Sequence, residues 1–195
     1  MKTFVTFFFT LVLAVFLLIA FPAEGEEAVY ADTLRLHILA ASDATADQEA
    51  KLCVRDALLA EYGEAFRACA DKASAEAYVE EHKENIQKTA EAALAARGYD
   101  HAVSVSLSEE WFDTRVYEEI TLPAGNYTAL RVVLGEGKGQ NFWCMLYPAL
   151  CLTPALGEEV DPLAEAYDES TYLLVTRNGY AVKFRALEIF SSLFG

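Results

Sequence analysis

Leu34-Arg35-Leu36-His37-Ile38-Leu39-Ala40 alternates, and a few residues later Thr45-Ala46-Asp47-Gln48 begins a different period. In the first segment Leu34, Leu36 and Ile38 share one side of a period-two pattern. Arg35, His37 and Leu39 share the other, which predicts a strand. The second segment reads as a capping box, with the Thr45 oxygen and the Gln48 side chain satisfying orphan amides of a helix over 45–64. Ala50, Cys53, Val54, Ala57 and Leu58 recur along it at helical spacing. A second helix is predicted over 75–97, with Val79, Ile86, Ala90, Ala93 and Leu94 as its apolar stripe. Gly98 supplies the left-handed residue that ends it.

Downstream the period returns to two. Val103, Val105 and Leu107 alternate with Ser104 and Ser106, and segments 115–122 and 127–134 flank Pro123-Ala124-Gly125-Asn126 as a hairpin. A strand over 142–146 stops at Pro148. The acidic stretch 156–169, interrupted by Pro162, reads as an exposed loop. Strands over 171–176 and 180–184 are expected around Asn178-Gly179, and a closing helix over 185–194. Helices early and strands late predict an α+β class: a single domain with two early helices and a C-terminal helix packed on a mostly antiparallel sheet.

The chain of 195 residues carries a formal charge of −15 and is 54% hydrophobic. That is too apolar for disorder and too acidic for nucleic acid, whose phosphates demand clustered Lys and Arg. Anionic lipid is disfavoured for the same reason. The N-terminus differs from the rest. Lys2 precedes an apolar run from Phe4 to Phe21, followed by Pro22-Ala23-Glu24-Gly25. A positive charge, an apolar stretch and small residues in that order make an export signal, with the mature chain starting near Glu26. The run also reaches the length of a membrane span, so residues 1–25 are a signal peptide or an N-terminal anchor and 26–195 form the domain. Residues 24–32 read as a polar tether. Membrane contact is expected only through the N-terminal segment, and only if it is retained.

Candidate chemistry is sparse. Gly135-Glu136-Gly137-Lys138-Gly139-Gln140-Asn141 lacks the spacing and the Ser or Thr of a phosphate loop. It reads instead as a glycine-permitted connection or a loop that presents its backbone to a partner. His37, His82 and His101 show no zinc-ligand spacing, so no metal and no cofactor are expected. Cys144 with His37 would make a nucleophile pair if the fold brought them together. Cys144 and Cys151 flank Pro148, and in an oxidising compartment a bridge between them would contribute about 2–3 kcal/mol. Cys53 reads as a small core residue, and Cys69 has no evident role. The aromatic run at Phe142 and Trp143 is core strand, or an interface anchor where a ring faces solvent.

Several of these stretches together resemble stage II sporulation protein R. The likeness rests on 34–43, on Asp47-Gln48 with Lys51, Val54, Arg55 and Asp56, on Ser106-Leu107-Ser108 and on Trp111-Phe112. It continues through Leu122-Pro123-Ala124-Gly125-Asn126-Tyr127, 129–133 and 135–144, then Pro148 to Cys151 and Val182-Lys183-Phe184-Arg185. Ala41 departs from the pattern, where Asn is expected before Ser42-Asp43. The resemblance implies a signal and not an enzyme. It implies export from the forespore into the space between forespore and mother cell. There it implies activation of the mother cell's membrane-embedded peptidase, which processes the precursor of sigma factor E. No catalytic residues transfer with it. The expected partner-binding residues are Glu136, Lys138, Gln140, Asn141 and Trp143, with His37 and Asp43 behind them. An extracytoplasmic hydrolase using Cys144 and His37, or a membrane-anchored structural envelope protein, are the alternatives.

Overall fold

A computed structural model describes residues 2–20, 25–117, 120–150 and 161–176, and within the first helix the side chains of residues 3–13. The elements in order are α1 (Lys2–Ala20), α2 (Glu26–Ala31), β1 (Leu34–Leu39), α3 (Thr45–Arg67), α4 (Lys72–Ala95), β2 (Val103–Phe112), β3 (Arg115–Tyr117), β4 (Ile120–Leu122), β5 (Gly125–Leu134), β6 (Asn141–Tyr147), α5 (Pro162–Ala166) and α6 (Glu169–Thr176). The α+β class is what the sequence predicts. The chain divides into two compact units, one of Tyr30–Glu110 with Asn126–Asp168, the other of the segments up to Val29, Trp111–Gly125 and from Glu169 onward.

The larger unit is built on a sheet of order β2-β5-β1-β6. β1 lies parallel to β5, Leu34 opposite Thr128 through Leu39 opposite Val133. On its other side it is antiparallel to β6, Leu36 opposite Cys144 and His37 opposite Trp143. Helices α3 and α4 pack on each other and on β1. Leu34, Leu36 and Ile38 meet Val54, Leu58 and Phe66 of α3 and Val79, Ile86 and Leu94 of α4 in one core. Each fully buried aliphatic there contributes about 1.5–3 kcal/mol.

The opposite face of the sheet is buried too, with charged groups in it. Arg35 is 0% exposed. Its Nε donates to the Cys144 carbonyl at 3.1 Å, and its guanidinium lies over the Tyr127 ring, 5.1 Å from the centroid. Tyr30 meets that ring edge-on. Below it Thr33 and Tyr167 share a buried hydrogen bond of 2.5 Å, and burial pushes the Tyr167 phenol well above its usual pKa.

The structure corrects several sequence expectations. Segments 115–122 and 127–134 do not form one hairpin: β3 folds back on β4, with Val116 opposite Thr121, while β5 enters the large sheet. The reason lies in β5 itself. Tyr127, Ala129, Leu130, Val132 and Leu134 are all buried, so apolar residues on both faces suit a central strand. The tether holds a helix, α2, whose Val29 is 0% and Glu26 3% exposed. Within the expected loop 156–169, Pro162 opens α5 instead of breaking a helix, and Asp161 caps it by accepting from Leu163 N–H at 3.0 Å. Segment 171–176 is helical, because Thr171, Leu174 and Val175 are buried at i, i+3 and i+4 and α6 packs on β4. That packing overrides the strand preference of its β-branched residues. The hairpin's second strand over 180–184 and the closing helix over 185–194 lie outside the described residues.

Helix ends moved as well. Ala44, not Thr45, is the N-cap of α3, and no side chain caps it. Asp71, which the sequence reading passed over, forms a reciprocal capping box with Ser74 at α4. Gly98 takes φ of 77°, as expected of the residue that ends α4.

Replacing Ile86, 1% exposed between α4 and the sheet, by Ala removes three heavy atoms from a close-packed site. Urea denaturation should show a loss of about 2–5 kcal/mol; a loss under about 1 kcal/mol would mean that this helix layer repacks freely.

Candidate functional site

The glycine loop is neither a loose connection nor a phosphate cradle. Gly135 and Gly137 have φ of 56° and 63°, and Gly139 lies so close to the β1–α3 connection that a Cβ there would fall 2.1 Å from the Ser42 carbonyl oxygen. Only glycine fits. Lys138 N–H donates to Ala41 O at 3.2 Å and Gly139 N–H to Ala40 O at 2.9 Å. Gln140 N–H donates to Asp43 Oδ1 at 2.8 Å. Amides that would hold an anion are thus committed to the protein's own oxygens.

A polar network fixes the same corner from the helix side. Lys51 of α3 donates to Gln140 O at 3.1 Å and to Gln48 Oε1 at 2.6 Å. Gln48 Nε2 donates to Ser42 O at 2.8 Å, and Ser42 Oγ to Asp47 Oδ2 at 2.5 Å. Burial, then the charge of Arg55, lowers the Lys51 pKa. The bond from Ser42, then His101, holds the Asp47 carboxyl below its usual range. An ionised carboxylate only accepts, so His101 Nε2 carries the proton in its 2.8 Å bond to Asp47 Oδ1.

Beside this corner a row of side chains crosses all four strands. His37 stands between Arg131 on β5 and Trp143 on β6 by strand register and stacks on the Trp143 indole with centroids 3.6 Å apart. His37 Nδ1 is hydrogen-bonded to Glu110 Oε2 from β2. Glu110 Oε1 accepts from Arg131 Nε at 3.0 Å and from Ser108 Oγ at 3.0 Å. Burial alone would raise the Glu110 pKa; the bond and charge of His37, with Ser108 and Arg131, outweigh it and hold the carboxyl below its usual value. The glutamate therefore orients both the imidazole and the guanidinium.

Of the residues expected to form the site, Gln140 and Asp43 are joined, and Trp143 and His37 are stacked. Glu136 and Lys138 form an exposed ion pair at 2.7 Å, and Asn141 is exposed at the start of β6. His37 is 5% exposed, so it supports the row and does not reach solvent. The Cys144–His37 pair does not form. Cys144 sits opposite Leu36 on the helix-covered face, whereas His37 is on the other face. Cys144 is disulfide-bonded; Cys151 lies outside the described residues. Cys53 and Cys69 are free thiols. Among the described residues no group of three His, Cys, Asp or Glu side chains could hold a metal ion. Glu110, Arg131, Asp47 and His101 escaped the sequence reading as site residues. Only the shared face of Arg35, His37 and Leu39 hinted that a polar row existed.

The same segments carry the comparison with known proteins. A sequence model of the family described as stage II sporulation protein R matches residues 30–156. This chain belongs to that family. Stage II sporulation protein R of Bacillus subtilis (strain 168) is 32% identical over 130 residues, which are 66% of this chain and 58% of that protein. The match thus spans less than two thirds of that relative. No solved structure matches. The family match takes in β1, the glycine loop and every member of the polar row.

Gly139→Ala should destabilise the domain by more than about 2 kcal/mol, because backbone, not a flexible side chain, occupies the Cβ position. Glu136→Ala and Lys138→Ala should leave the melting temperature unchanged. A tolerated Gly139→Ala would contradict the loop's close docking.

Because the Glu110 carboxyl titrates lower folded than unfolded, its contribution is present above the ordinary glutamate value and is lost as pH falls through the lower folded one. Acid unfolding should therefore be less steep in Glu110→Gln than in the parent. Identical acid limbs would show that the row contributes nothing through Glu110.

Proposed function

We propose that this chain is the exported intercellular signal of endospore formation that activates the mother cell's membrane-embedded peptidase, which processes the sigma factor E precursor. Membership of the stage II sporulation protein R family over residues 30–156 is the observation that supports this reading. The apolar run from Phe4 to Phe21 supports export; among the described residues no helix is long and apolar enough to cross a membrane. The space between forespore and mother cell is the proposed location. The chain acts by binding and not by catalysis, without cofactor.

The contact surface proposed is the exposed rim of the glycine loop: Glu136, Lys138, Gln140 and Asn141, with Trp143 at its edge. Asp43 and His37 hold this rim from beneath, through the Gln140 amide and the Trp143 ring. A rim already fixed by backbone bonds loses little freedom on docking, which favours affinity.

The test is to add the purified chain to vesicles bearing the peptidase and the sigma factor precursor, and to follow precursor cleavage. Cleavage should depend on the chain, and the chain alone should hydrolyse neither peptide nor ester. Hydrolysis by the chain alone would replace the signalling reading with an enzymatic one. Combined Glu136→Ala, Lys138→Ala and Asn141→Ala should keep the melting temperature and reduce activation several-fold. Unchanged activation would remove these side chains from the interface.

A further inference from the structure

Both backbone groups of Gln140 are engaged from one short stretch of chain. Its N–H donates to Asp43 Oδ1 at 2.8 Å, in the connection that follows β1. Its carbonyl accepts from Lys51 Nζ at 3.1 Å, in the second turn of α3. Lys51 also donates to Gln48 Oε1 at 2.6 Å. One turn further along α3, the Arg55 guanidinium lies 5.2 Å from the centroid of the Phe142 ring. Residues three and four apart on a helix lie side by side, so Gln48, Lys51 and Arg55 form one ridge against segment 140–142.

Lys51 is the costly member of that ridge. It is 7% exposed, and lysine is seldom buried to that degree without a partner. Burial, then the charge of Arg55, disfavours its charged form, with the Asp43 carboxylate opposing them. A methionine would fill similar space without that cost. What the ammonium adds is a charge-assisted bond to the Gln140 carbonyl, stronger than a neutral donor would give. Gln140 and Asn141 are both exposed, so this bond fixes the backbone of a stretch that solvent, or a docking protein, can reach.

We propose that Lys51 is a positioning residue for the peptidase-contacting rim. It braces the Gln140 carbonyl while Asp43 holds the amide, and so keeps Gln140 and Asn141 in the conformation that docks. The inference rests on the proposed function and deepens it, by placing a determinant of affinity on a buried side chain beneath the rim. Residues ordered before docking remove an entropic cost from the encounter. Loss of the brace therefore weakens binding and leaves the activating step itself intact.

Lys51→Met removes the donors, whereas Lys51→Arg keeps a charged donor at the same place. Amide hydrogen exchange is followed by NMR on the chain alone. Exchange at Gln140 should be several-fold faster in Lys51→Met than in the parent, with α4 amides at parental rates, and Lys51→Arg should largely restore it. In the vesicle assay of precursor cleavage, Lys51→Met should need a several-fold higher concentration for half-maximal activation and reach the same plateau. Asp43→Ala, at an exposed position, releases the same residue from its other end and removes no buried charge. It should reproduce both effects even where Lys51→Met fails to fold.

Unchanged Gln140 exchange in both variants overturns the proposal. Exchange accelerated equally in α4 does so too, because it reports lost global stability. A lowered plateau at unchanged half-maximal concentration overturns it by putting Lys51 in the activating step. Faster Gln140 exchange with a parental activation curve overturns the positioning role alone. A parent chain that activates no cleavage overturns the proposed function, and this proposal with it.

Discussion

Six residues of β1 set the terms for the larger unit. They are held parallel to β5 on one side and antiparallel to β6 on the other, and both of their faces are buried. Leu34, Leu36 and Ile38 seat the two long helices. Arg35 and His37 point the other way, where each needs polar partners because an unpaired charge in that setting is costly. Arg35 is met by a carbonyl and an aromatic face, His37 by a carboxylate and an indole. The strand's end then delivers Ala40 to Asp43 to the glycine loop. A shift of one residue in this strand would exchange its two faces and dismantle all three arrangements.

In the glycine loop structural demand coincides with the contact surface proposed above. Its glycines are required by the approach of Gly139 to the Ser42 carbonyl and by left-handed backbone at Gly135 and Gly137. The same docking leaves Glu136, Lys138 and Asn141 outward on a framework that cannot drift. Beneath it, Lys51, Gln48, Ser42, Asp47 and His101 form a chain of hydrogen bonds in which Lys51 donates to two oxygens and Asp47 accepts from Ser42 and His101. Such networks gain from mutual polarisation and lose sharply when one member is removed.

Much of the fold was legible because its periods are clean. β1, α3, α4 and β6 fall within a few residues of their expected bounds, β2 starts at Val103 as expected but runs on to Phe112, and the separate faces of β1 could be assigned from Leu34 to Leu39 alone. Periodicity does not say which strands become neighbours. The parallel β1–β5 pairing joins segments far apart, and no local signal distinguishes it from the adjacent hairpin that Pro123 to Asn126 advertise. α6 was misread because Thr171, Tyr172 and Val175 favour strands until packing on β4 selects a helix. Of the candidate site, His37, Asp43, Gln140 and Trp143 stood out by residue type. Glu110 and Arg131 did not, since a glutamate or arginine on a strand is ordinary until the register brings it beside His37.

The pairing of β1 also bears on the order of events in synthesis. Leu34 finds its partners at Thr128 and Tyr147, so the centre of the sheet stays empty until most of the chain has been made. Early helices have no sheet to pack on in that interval. Folding that waits for distant contacts is slow. The topology that stabilises the finished domain thereby delays its completion.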